Sequence, residues 1–380
     1  MYYLTVKQPP RCKQITLEDV LNGNTSALFS AAPIITATRT FLTENPRIRE
    51  AERTSARLLA AALKKFNQEH RDLIEADKRK LYRTFYIPKK TSGLRRIDEP
   101  VEELMKALRE LREILENQGH VLYHTAAFAY VKNRSTVDAV KKHQANRSNW
   151  FLKTDFSDFF GNHSLNYVMR MITKIYPFCE MRRDDQENVL KPALSLCFLE
   201  DKLPQGTPIS PLLTNLCMIP IDHMISNQIA GEGFIYTRYA DDIIISHRIG
   251  FDPAQMCRRI NQALAHFSAP FTIKDSKTHY GNRNGRNWNL GVMLNKDNQI
   301  TVGWKRKQQF KAMCHNYISA KADGNPWDID DVYRLSGIIS YYMMVEKEYF
   351  QALIAAINQK YSVNLVRMIR ADIRNGVRCV

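Results

Sequence analysis

Residues 233–245 have the sequence GFIYTRYADDIII, in which two adjacent aspartates, Asp241 and Asp242, lie between two apolar segments. Both segments are rich in β-branched and aromatic residues, which predicts a hairpin with the aspartates at its tip. Adjacent carboxylates repel each other unless a cation is bound between them. The pattern therefore predicts a metal-binding tip, as in two-metal phosphoryl-transfer sites. A polar β-turn without chemistry is the alternative that this segment alone leaves open.

A second acidic strand end lies upstream, where residues 150–160 read WFLKTDFSDFF. The apolar run ends at Asp155 and predicts a buried strand that delivers one carboxylate at its end. Two Mg²⁺ ions about 4 Å apart need oxygens from at least two side chains. Asp155 and Asp241 are the candidates to supply these oxygens, with Asp242 as a weaker or outer ligand. Between them, residues 203–213 (LPQGTPISPLL) predict a turn that runs into a helix.

Taken in this order, the three segments resemble the reverse transcriptases, and three further motifs extend the resemblance. Residues 87–100 (IPKKTSGLRRIDEP) are similar to the fingers motif of bacterial reverse transcriptases. Residues 271–278 (FTIKDSKT) are similar to a palm motif with a Lys-Thr pair, and residues 290–293 (LGVM) to the primer-grip turn. The resemblance implies an α+β, right-hand polymerase fold with fingers, a palm of antiparallel sheet plus helices, and a helical thumb. It also implies an RNA-directed DNA polymerase.

The expected domain order is an N-terminal helical extension (1–81), fingers and palm (82–302), and a helical thumb (303–380). Within the extension, residues 46 to about 82 predict a helix with Leu58, Leu59, Leu63 and Phe66 as its apolar stripe. Residues 101–118 predict an amphipathic helix, and the thumb pattern predicts helices over 305–321, 328–361 and 365–374.

The resemblance and the chemistry together assign roles to individual residues. A nucleoside triphosphate carries about four negative charges that must be held in line with a primer hydroxyl. Lys89 and Arg95, around Gly93, are suited to bind those charges. By resemblance, nucleotide contacts also come from Gln205 at the sugar and base, from Tyr239, and from Phe160 beneath the sugar, where it leaves no room for a 2′ hydroxyl.

The expected catalytic residues are the metal ligands Asp155, Asp241 and Asp242, together with Lys277 as the general acid for the pyrophosphate leaving group. Two residues assigned to the site, Phe160 and Lys277, have purely structural alternatives. Phe160 could be one more core aromatic beside Phe156 and Phe159, and a Lys-Thr pair at a strand end is often only structural.

The chain is strongly basic, with a formal net charge of +16, which predicts a polyanionic partner. Two helical series of arginines offer phosphate contacts: Arg49, Arg53 and Arg57, and Arg367, Arg370 and Arg374. The alternative for both series is a basic helix face that contacts only solvent. The expected partners are a structured RNA template, the DNA product and deoxynucleoside triphosphates.

A membrane partner is not expected, because no apolar run approaches the roughly 18 residues of a spanning helix. The N-terminus shows no signal-peptide pattern, and the seven cysteines are scattered without a Cys-x-x-Cys pair. We therefore expect a cytoplasmic protein with reduced thiols.

The kind of reverse transcriptase is approached by elimination. A single thumb-sized region after the palm disfavours retroviral, group II intron and LINE-type proteins. Gln205-Gly206 and Ser210-Pro211 differ from diversity-generating enzymes, and residues 138–143 (DAVKKH) and 289–291 (NLG) only partly match retron motifs. The chain looks most like bacterial defence-associated reverse transcriptases, which copy a partner non-coding RNA and act against phage. The alternatives are a retron-type enzyme, a template-independent DNA polymerase of abortive-infection type, and a non-catalytic RNA-binding scaffold.

Overall fold

The computed structural model describes residues 46–88, 93–118, 123–283 and 291–376, and the chain divides into two compact units. The first unit contains the residues up to Arg134 together with Leu152–Ile245 and Phe251–Tyr280. The second contains Ser135–Phe151, Ser246–Gly250 and the residues from Gly281 onward. The side chains of residues 46–52 lie outside the described part.

The described residues form an α+β structure, which confirms the predicted class. The helices are α1 (Pro46–Glu69), α2 (Arg71–Glu75), α3 (Glu102–Gln118), α4 (Thr136–Ala145), α5 (Leu165–Ile172), α6 (Arg183–Asp185), α7 (Lys191–Ser195), α8 (Ser210–Gln228), α9 (Pro253–His266), α10 (Trp304–Ala322), α11 (Ile329–Val345), α12 (Lys347–Tyr361) and α13 (Leu365–Gly376). The strands are β1 (Tyr82–Pro88), β2 (Leu94–Pro100), β3 (Trp150–Asp155), β4 (Ile235–Tyr239), β5 (Asp242–His247), β6 (His279–Asn282), β7 (Met293–Leu294) and β8 (Ile300–Thr301).

Three sheets result from these strands. The largest has four strands in the order β4-β5-β3-β6, so the predicted hairpin of β4 and β5 lies directly beside β3. The strands β1 and β2 form an antiparallel pair from Tyr82↔Pro100 to Pro88↔Leu94, and β7 pairs with β8. Since β5 and β3 are neighbours, the acidic strand ends that the sequence predicts separately belong to one sheet.

Helix α8 is the centre of the core in the first unit. It packs against α5 and α9 and is buried on almost every side, including Leu212, Leu216 and Ile221. A helix that is apolar all round is stable only when it is enclosed. The aspartate inside this helix, Asp222, is also fully buried.

Helix α1 is shorter than predicted. It ends at Glu69, and two short helical turns follow before β1. The Lys78 ammonium donates to the carbonyls of Leu73 and Ile74 at 2.6 and 2.7 Å, which satisfies the end of α2. The predicted stripe is right for Leu59, Leu63 and Phe66, which are buried, and wrong for Leu58, which is 56% exposed.

The second unit ends in the four helices α10 to α13, and the prediction of helices there is confirmed with one correction. Residues 328–361 were expected as one helix but form two, α11 and α12, separated at Glu346. The Glu346 carboxylate accepts hydrogen bonds from Thr301, the Val302 amide and Lys307, at 2.7 to 2.9 Å. These contacts outside the helix favour the break. Among the described residues, no helix combines the length and apolarity that crossing a membrane requires.

Candidate active site

The four-stranded sheet brings the acidic residues together at one end. Asp155 is the last residue of β3, and Asp241 lies in the two-residue turn that joins β4 to β5. The Phe156 amide donates to the Asp241 carbonyl at 3.3 Å, which links the end of β3 to this turn. The turn contains Ala240 with a φ of 57°, a left-handed conformation that is unfavourable for a residue with a Cβ.

The Asp155 carboxylate is buried and only half satisfied. Its Oδ2 accepts a hydrogen bond from the Lys277 ammonium, whereas its Oδ1 has no hydrogen-bond partner within the described part of the chain. A buried carboxylate oxygen without a partner is costly. This oxygen is therefore suited to bind a cation.

Asp241 has a raised pKa. Burial is the largest cause, and the negative charges of Asp155 and Asp242 raise the pKa further. Crowded carboxylates in a partly buried site are stabilised in their charged form by a bound cation. Asp155 and Asp241 thus have the chemistry of a divalent metal site.

Asp242 is in a different environment, although it is adjacent in sequence. It is the first residue of β5, and its Oδ1 lies 3.1 Å from the Lys153 Nζ. Both side chains are largely buried, so the protein itself balances this charge. The described ranges contain no group of three or more His, Cys, Asp or Glu side chains that could hold a metal ion. Asp155 also has a lysine partner, but its Oδ1 has no hydrogen-bond partner among the described residues, and Asp241 is crowded by both neighbouring carboxylates, so these two are the carboxylates best suited to a metal.

Lys277 lies in the short helical turn Asp275–Lys277 and binds Asp155. The hydrogen bond to Asp155 is the main reason why the pKa of Lys277 is raised. The ammonium keeps its charge and donates one of its three N–H groups to the carboxylate, so another of its protons is available to a second acceptor while this ion pair is in place.

A cavity of about 970 Å³ opens over these carboxylates. Its walls include six residues assigned to the site from sequence: Arg95, Asp155, Phe160, Gln205, Asp241 and Lys277. Tyr239 ends β4 and Asp242 begins β5, and neither lines this cavity. Lys89 lies outside the described residues. The structure thus collects acids, cations, an amide and an aromatic ring around one space.

The turn at Gln205 and Gly206 is joined to the β1–β2 hairpin by Asp98. The Asp98 amide donates to the Gln205 carbonyl at 2.8 Å, and a Cβ on Gly206 would lie 3.0 Å from the Asp98 carbonyl oxygen. Gly206 also has a φ of 121°, so both conformation and space require glycine here. The buried Asp98 carboxylate accepts from Thr84 at 2.6 Å and from Arg96 at 2.8 Å. Nothing in the local sequence distinguishes Asp98 from its exposed neighbours, so the sequence reasoning missed it.

The three phenylalanines after Asp155 have different environments. Phe156 and Phe159 are buried and pack against Phe271. Phe160 is only partly buried, lines the cavity and meets the Phe159 ring edge to face, with centroids 5.7 Å apart. Phe160 is therefore placed to contact a ligand in the cavity.

Tyr130 is a second residue that the sequence reasoning missed. It is 51% exposed and has a φ of 58°, which is unusual for a bulky side chain. Its pKa is raised by burial of the phenol and by the negative charges of Asp241 and Tyr239, while the Arg95 charge opposes this rise. Its phenol therefore lies within the electrostatic field of the acidic turn. Strained backbone of this kind is common at functional sites.

The described arginines of the two series have exposed side chains. Arg53 and Arg57 on α1 border a cleft of about 530 Å³ that also contains Lys64 and Arg182, together with Glu180 and Asp185. The side chain of Arg49 lies outside the described part. On α13, Arg367, Arg370 and Arg374 are all exposed.

Comparison with known proteins agrees with this chemistry. A family described as "Reverse transcriptase (RNA-dependent DNA polymerase)" matches residues 87–312, more than half of the chain. The retron Ec83 reverse transcriptase of Escherichia coli is 25% identical over 304 residues, which cover 78% of this chain and 91% of that protein. The retron Ec73 reverse transcriptase of the same species is 26% identical, covering 72% of this chain and 85% of that protein.

The solved structures that match this chain include two telomerases. Telomerase from Candida albicans, in complex with a fragment of telomeric RNA, aligns over 79% of this chain and 58% of its own, with 13% identity and a TM-score of 0.44. The apo telomerase of Candida tropicalis aligns over 77% of this chain and 61% of its own, with 11% identity and a TM-score of 0.45.

Proposed function

The chain belongs to the reverse transcriptase family and is an RNA-directed DNA polymerase, and we propose that nucleotide addition takes place in the cavity over Asp155 and Asp241. One observation carries this assignment. The buried Asp155 Oδ1 has no hydrogen-bond partner in the described part of the chain. The negative charge of the same carboxylate raises the pKa of Asp241. Metal-assisted phosphoryl transfer needs carboxylate oxygens of this kind to bind a cation.

Two Mg²⁺ ions are the proposed cofactor, with Asp155 and Asp241 as their protein ligands and Asp242 as an outer residue. When bound, such ions neutralise the triphosphate and increase the nucleophilicity of the primer hydroxyl. The remaining contributions come from side chains. Arg95 offers a bidentate fork to the phosphates, and Lys89 is proposed as a second phosphate contact.

The sugar and base of the incoming nucleotide are proposed to lie against Gln205, Phe160 and Tyr239. Phe160 faces the cavity and would exclude a 2′ hydroxyl by its bulk. Lys277 donates one N–H to Asp155 and would pass another of its protons to the departing pyrophosphate as general acid. The template and product would contact the arginines of α1 and α13.

The proposed biological role is to copy a partner non-coding RNA in bacterial antiphage defence. A retron-type reverse transcriptase is the second candidate, and one finding favours it. Two retron enzymes of Escherichia coli match 72% and 78% of this chain. The domain order 1–81, 82–302 and 303–380 and a cytoplasmic location are parts of the same proposal.

Sequencing the nucleic acid that copurifies with the protein tests this function. We expect one RNA together with its complementary DNA. Recovery of RNA alone would indicate a binding scaffold, and DNA of biased composition without a matching RNA would indicate template-independent synthesis. The matched control is Asp241→Asn, which should retain the RNA and lack the DNA.

A further inference from the structure

A buried arginine lies next to the catalytic turn. Arg238 in β4 is among the largest fully buried side chains of the described residues. Its Nε donates to both oxygens of Asp222, at 2.9 and 3.1 Å, and its Nη2 donates to Asp222 Oδ2 at 2.8 Å. Asp222 lies in the middle of α8 and is also fully buried. The pair therefore attaches β4 to the central helix.

The remaining nitrogen of this guanidinium holds the turn itself. Arg238 Nη1 donates to the Ala240 carbonyl at 3.0 Å and to Asn215 Oδ1 at 3.1 Å. Asn215 in turn donates from Nδ2 to the Ala129 carbonyl at 2.8 Å. Arg238 and Asn215 together thus connect the turn before Asp241 to the segment before Tyr130.

Both ends of this network carry strained backbone. Ala240 and Tyr130 are left-handed, with φ of 57° and 58°, and a non-glycine residue keeps such a conformation only where its surroundings hold it. The main chain adds two further contacts, from Arg238 N to the Ala126 carbonyl at 2.7 Å and from Phe128 N to the Arg238 carbonyl at 2.9 Å. The strained turn is therefore held from both the side chain and the main chain of Arg238.

Stability alone does not explain this arrangement. A buried ion pair is generally no more stabilising than apolar residues of similar volume, because both charges lose their hydration. What a well-packed apolar side chain lacks is a donor for the Ala240 carbonyl. Lysine is no substitute, since one ammonium cannot reproduce the planar fork that holds Asp222, Asn215 and Ala240 together.

We infer that Arg238, oriented by Asp222, is a positioning residue for nucleotide addition: it holds the Ala240 carbonyl and thereby the direction of the Asp241 carboxylate beside Asp155. This inference rests on the proposed function of that site. Misplacing a reacting group by about 1 Å can lower a rate by about 100-fold. The loss should therefore appear in the rate of the chemical step and not in nucleotide or template affinity.

The test is single-turnover primer extension by Arg238→Lys, with active-site titration of the same preparation. We expect the maximal rate per active molecule to fall about 10- to 100-fold. The fraction of active molecules and the Kd values for nucleotide and template-primer should stay within about twofold of the unsubstituted protein. A lower active fraction with an unchanged rate per active molecule would show a merely structural role and overturn the inference.

Tyr236→Phe is the matched control. Its hydroxyl donates to the same Asp222 Oδ1 at 2.7 Å and also lies against Arg238, the side chain is buried as well, and among the described residues no hydrogen bond joins this hydroxyl to the turn. This variant should lower the Tm and leave the rate per active molecule within about twofold. A rate loss equal to that of Arg238→Lys would mean that general loosening of the core is the cause, which contradicts the inference.

Asn215→Ala serves if Arg238→Lys does not fold. It removes one acceptor of Arg238 and the bond to the Ala129 carbonyl, and it leaves the pair with Asp222 intact. The expected rate loss is about three- to tenfold, because Arg238 itself loses one hydrogen bond, and an unchanged rate would contradict the inference. Asp241→Asn distinguishes a wrong site assignment from a wrong positioning role. If Asp241→Asn stays active, the site assignment is wrong, and if it is inactive while Arg238→Lys is normal, only the positioning role is wrong.

Discussion

The acidic turn and the β1–β2 hairpin both present charged groups to one cavity, but they are held in opposite ways. The turn is supported by the buried residues Thr237, Arg238 and Ile243. In the hairpin, Tyr86 is 60% and Leu94 is 61% exposed, and nearly every described residue of β1 has an exposed side chain. The hairpin has a buried polar anchor at its base, Asp98.

This difference has a consequence for catalysis. Groups that act on the reacting atoms must be held closely in place, because small displacements strongly lower the rate. Groups that bind the phosphates of a substrate can tolerate more freedom, since charge attraction is long-ranged and weakly directional. We therefore expect substitutions in the turn to lower kcat and substitutions in the hairpin to raise KM.

The largest effect should come from removing one negative charge at the metal site. Asp155→Asn and Asp241→Asn each keep the side-chain shape and should lower the rate of DNA synthesis at least about 100-fold, because charge stabilisation in the transition state is lost. RNA binding should change by less than about twofold. Primer extension and filter binding measure the two quantities.

Asp242→Asn sharpens the same comparison within the turn. Lys153 already balances the charge of Asp242, so we expect a loss of only about tenfold. Equal losses in Asp241→Asn and Asp242→Asn would contradict the different roles that the structure gives to these neighbours.

The next effect concerns sugar selection by Phe160, on the cavity wall. Phe160→Ala should raise kcat/KM for ribonucleotides relative to deoxynucleotides by about 10- to 100-fold, because space opens for the 2′ hydroxyl. The matched control is Phe159→Ala, which removes a buried ring and should cost about 3–5 kcal/mol of stability without changing the preference. Unchanged sugar preference in Phe160→Ala, with a large fall in Tm, would place Phe160 in the core instead.

A smaller effect is expected at the hairpin anchor. Asp98→Asn weakens two hydrogen bonds to a charged carboxylate, each contributing about 1.5–3 kcal/mol. The KM for deoxynucleotides should rise about tenfold while kcat stays within about twofold, because Arg95 is displaced and the acids are not. Glu99→Gln, at the adjacent exposed position, should change neither constant. A fall in kcat alone would show that the hairpin acts on the chemical step.

The smallest effect per residue should come from the arginines of α13, whose side chains are exposed like those of the hairpin. Replacing Arg367, Arg370 and Arg374 together with glutamine should reduce the salt dependence of template-primer binding by about two to three units of slope, since each lost phosphate contact leaves about one counterion bound. Binding isotherms over a series of salt concentrations measure this slope. An unchanged slope would identify this face of α13 as simply solvated.

Local pattern was enough to predict several elements. The strand that ends at Asp155 and the hairpin with Asp241 at its tip follow from apolar β-branched runs, and the helix predicted over 101–118 follows from its apolar stripe, because both periodicities are properties of consecutive residues. The order of the motifs was also enough to predict the family that the comparison with known proteins supports.

Other features depended on residues that are distant in sequence. Local pattern gave no sign that Lys153 binds Asp242, that Arg238 reaches Asp222 in α8, or that Asp98 anchors the hairpin. The helix break at Glu346 likewise reflects its contact with Thr301, 45 residues away. Periodicity determines which side of an element is buried, but the partner of a buried polar group is chosen by the packing of separate elements. The sequence by itself therefore determined the main helices and strands, the candidate aspartates of the site and the family. Only the tertiary structure decided which of these carboxylates can bind a metal and which side chains hold them in place.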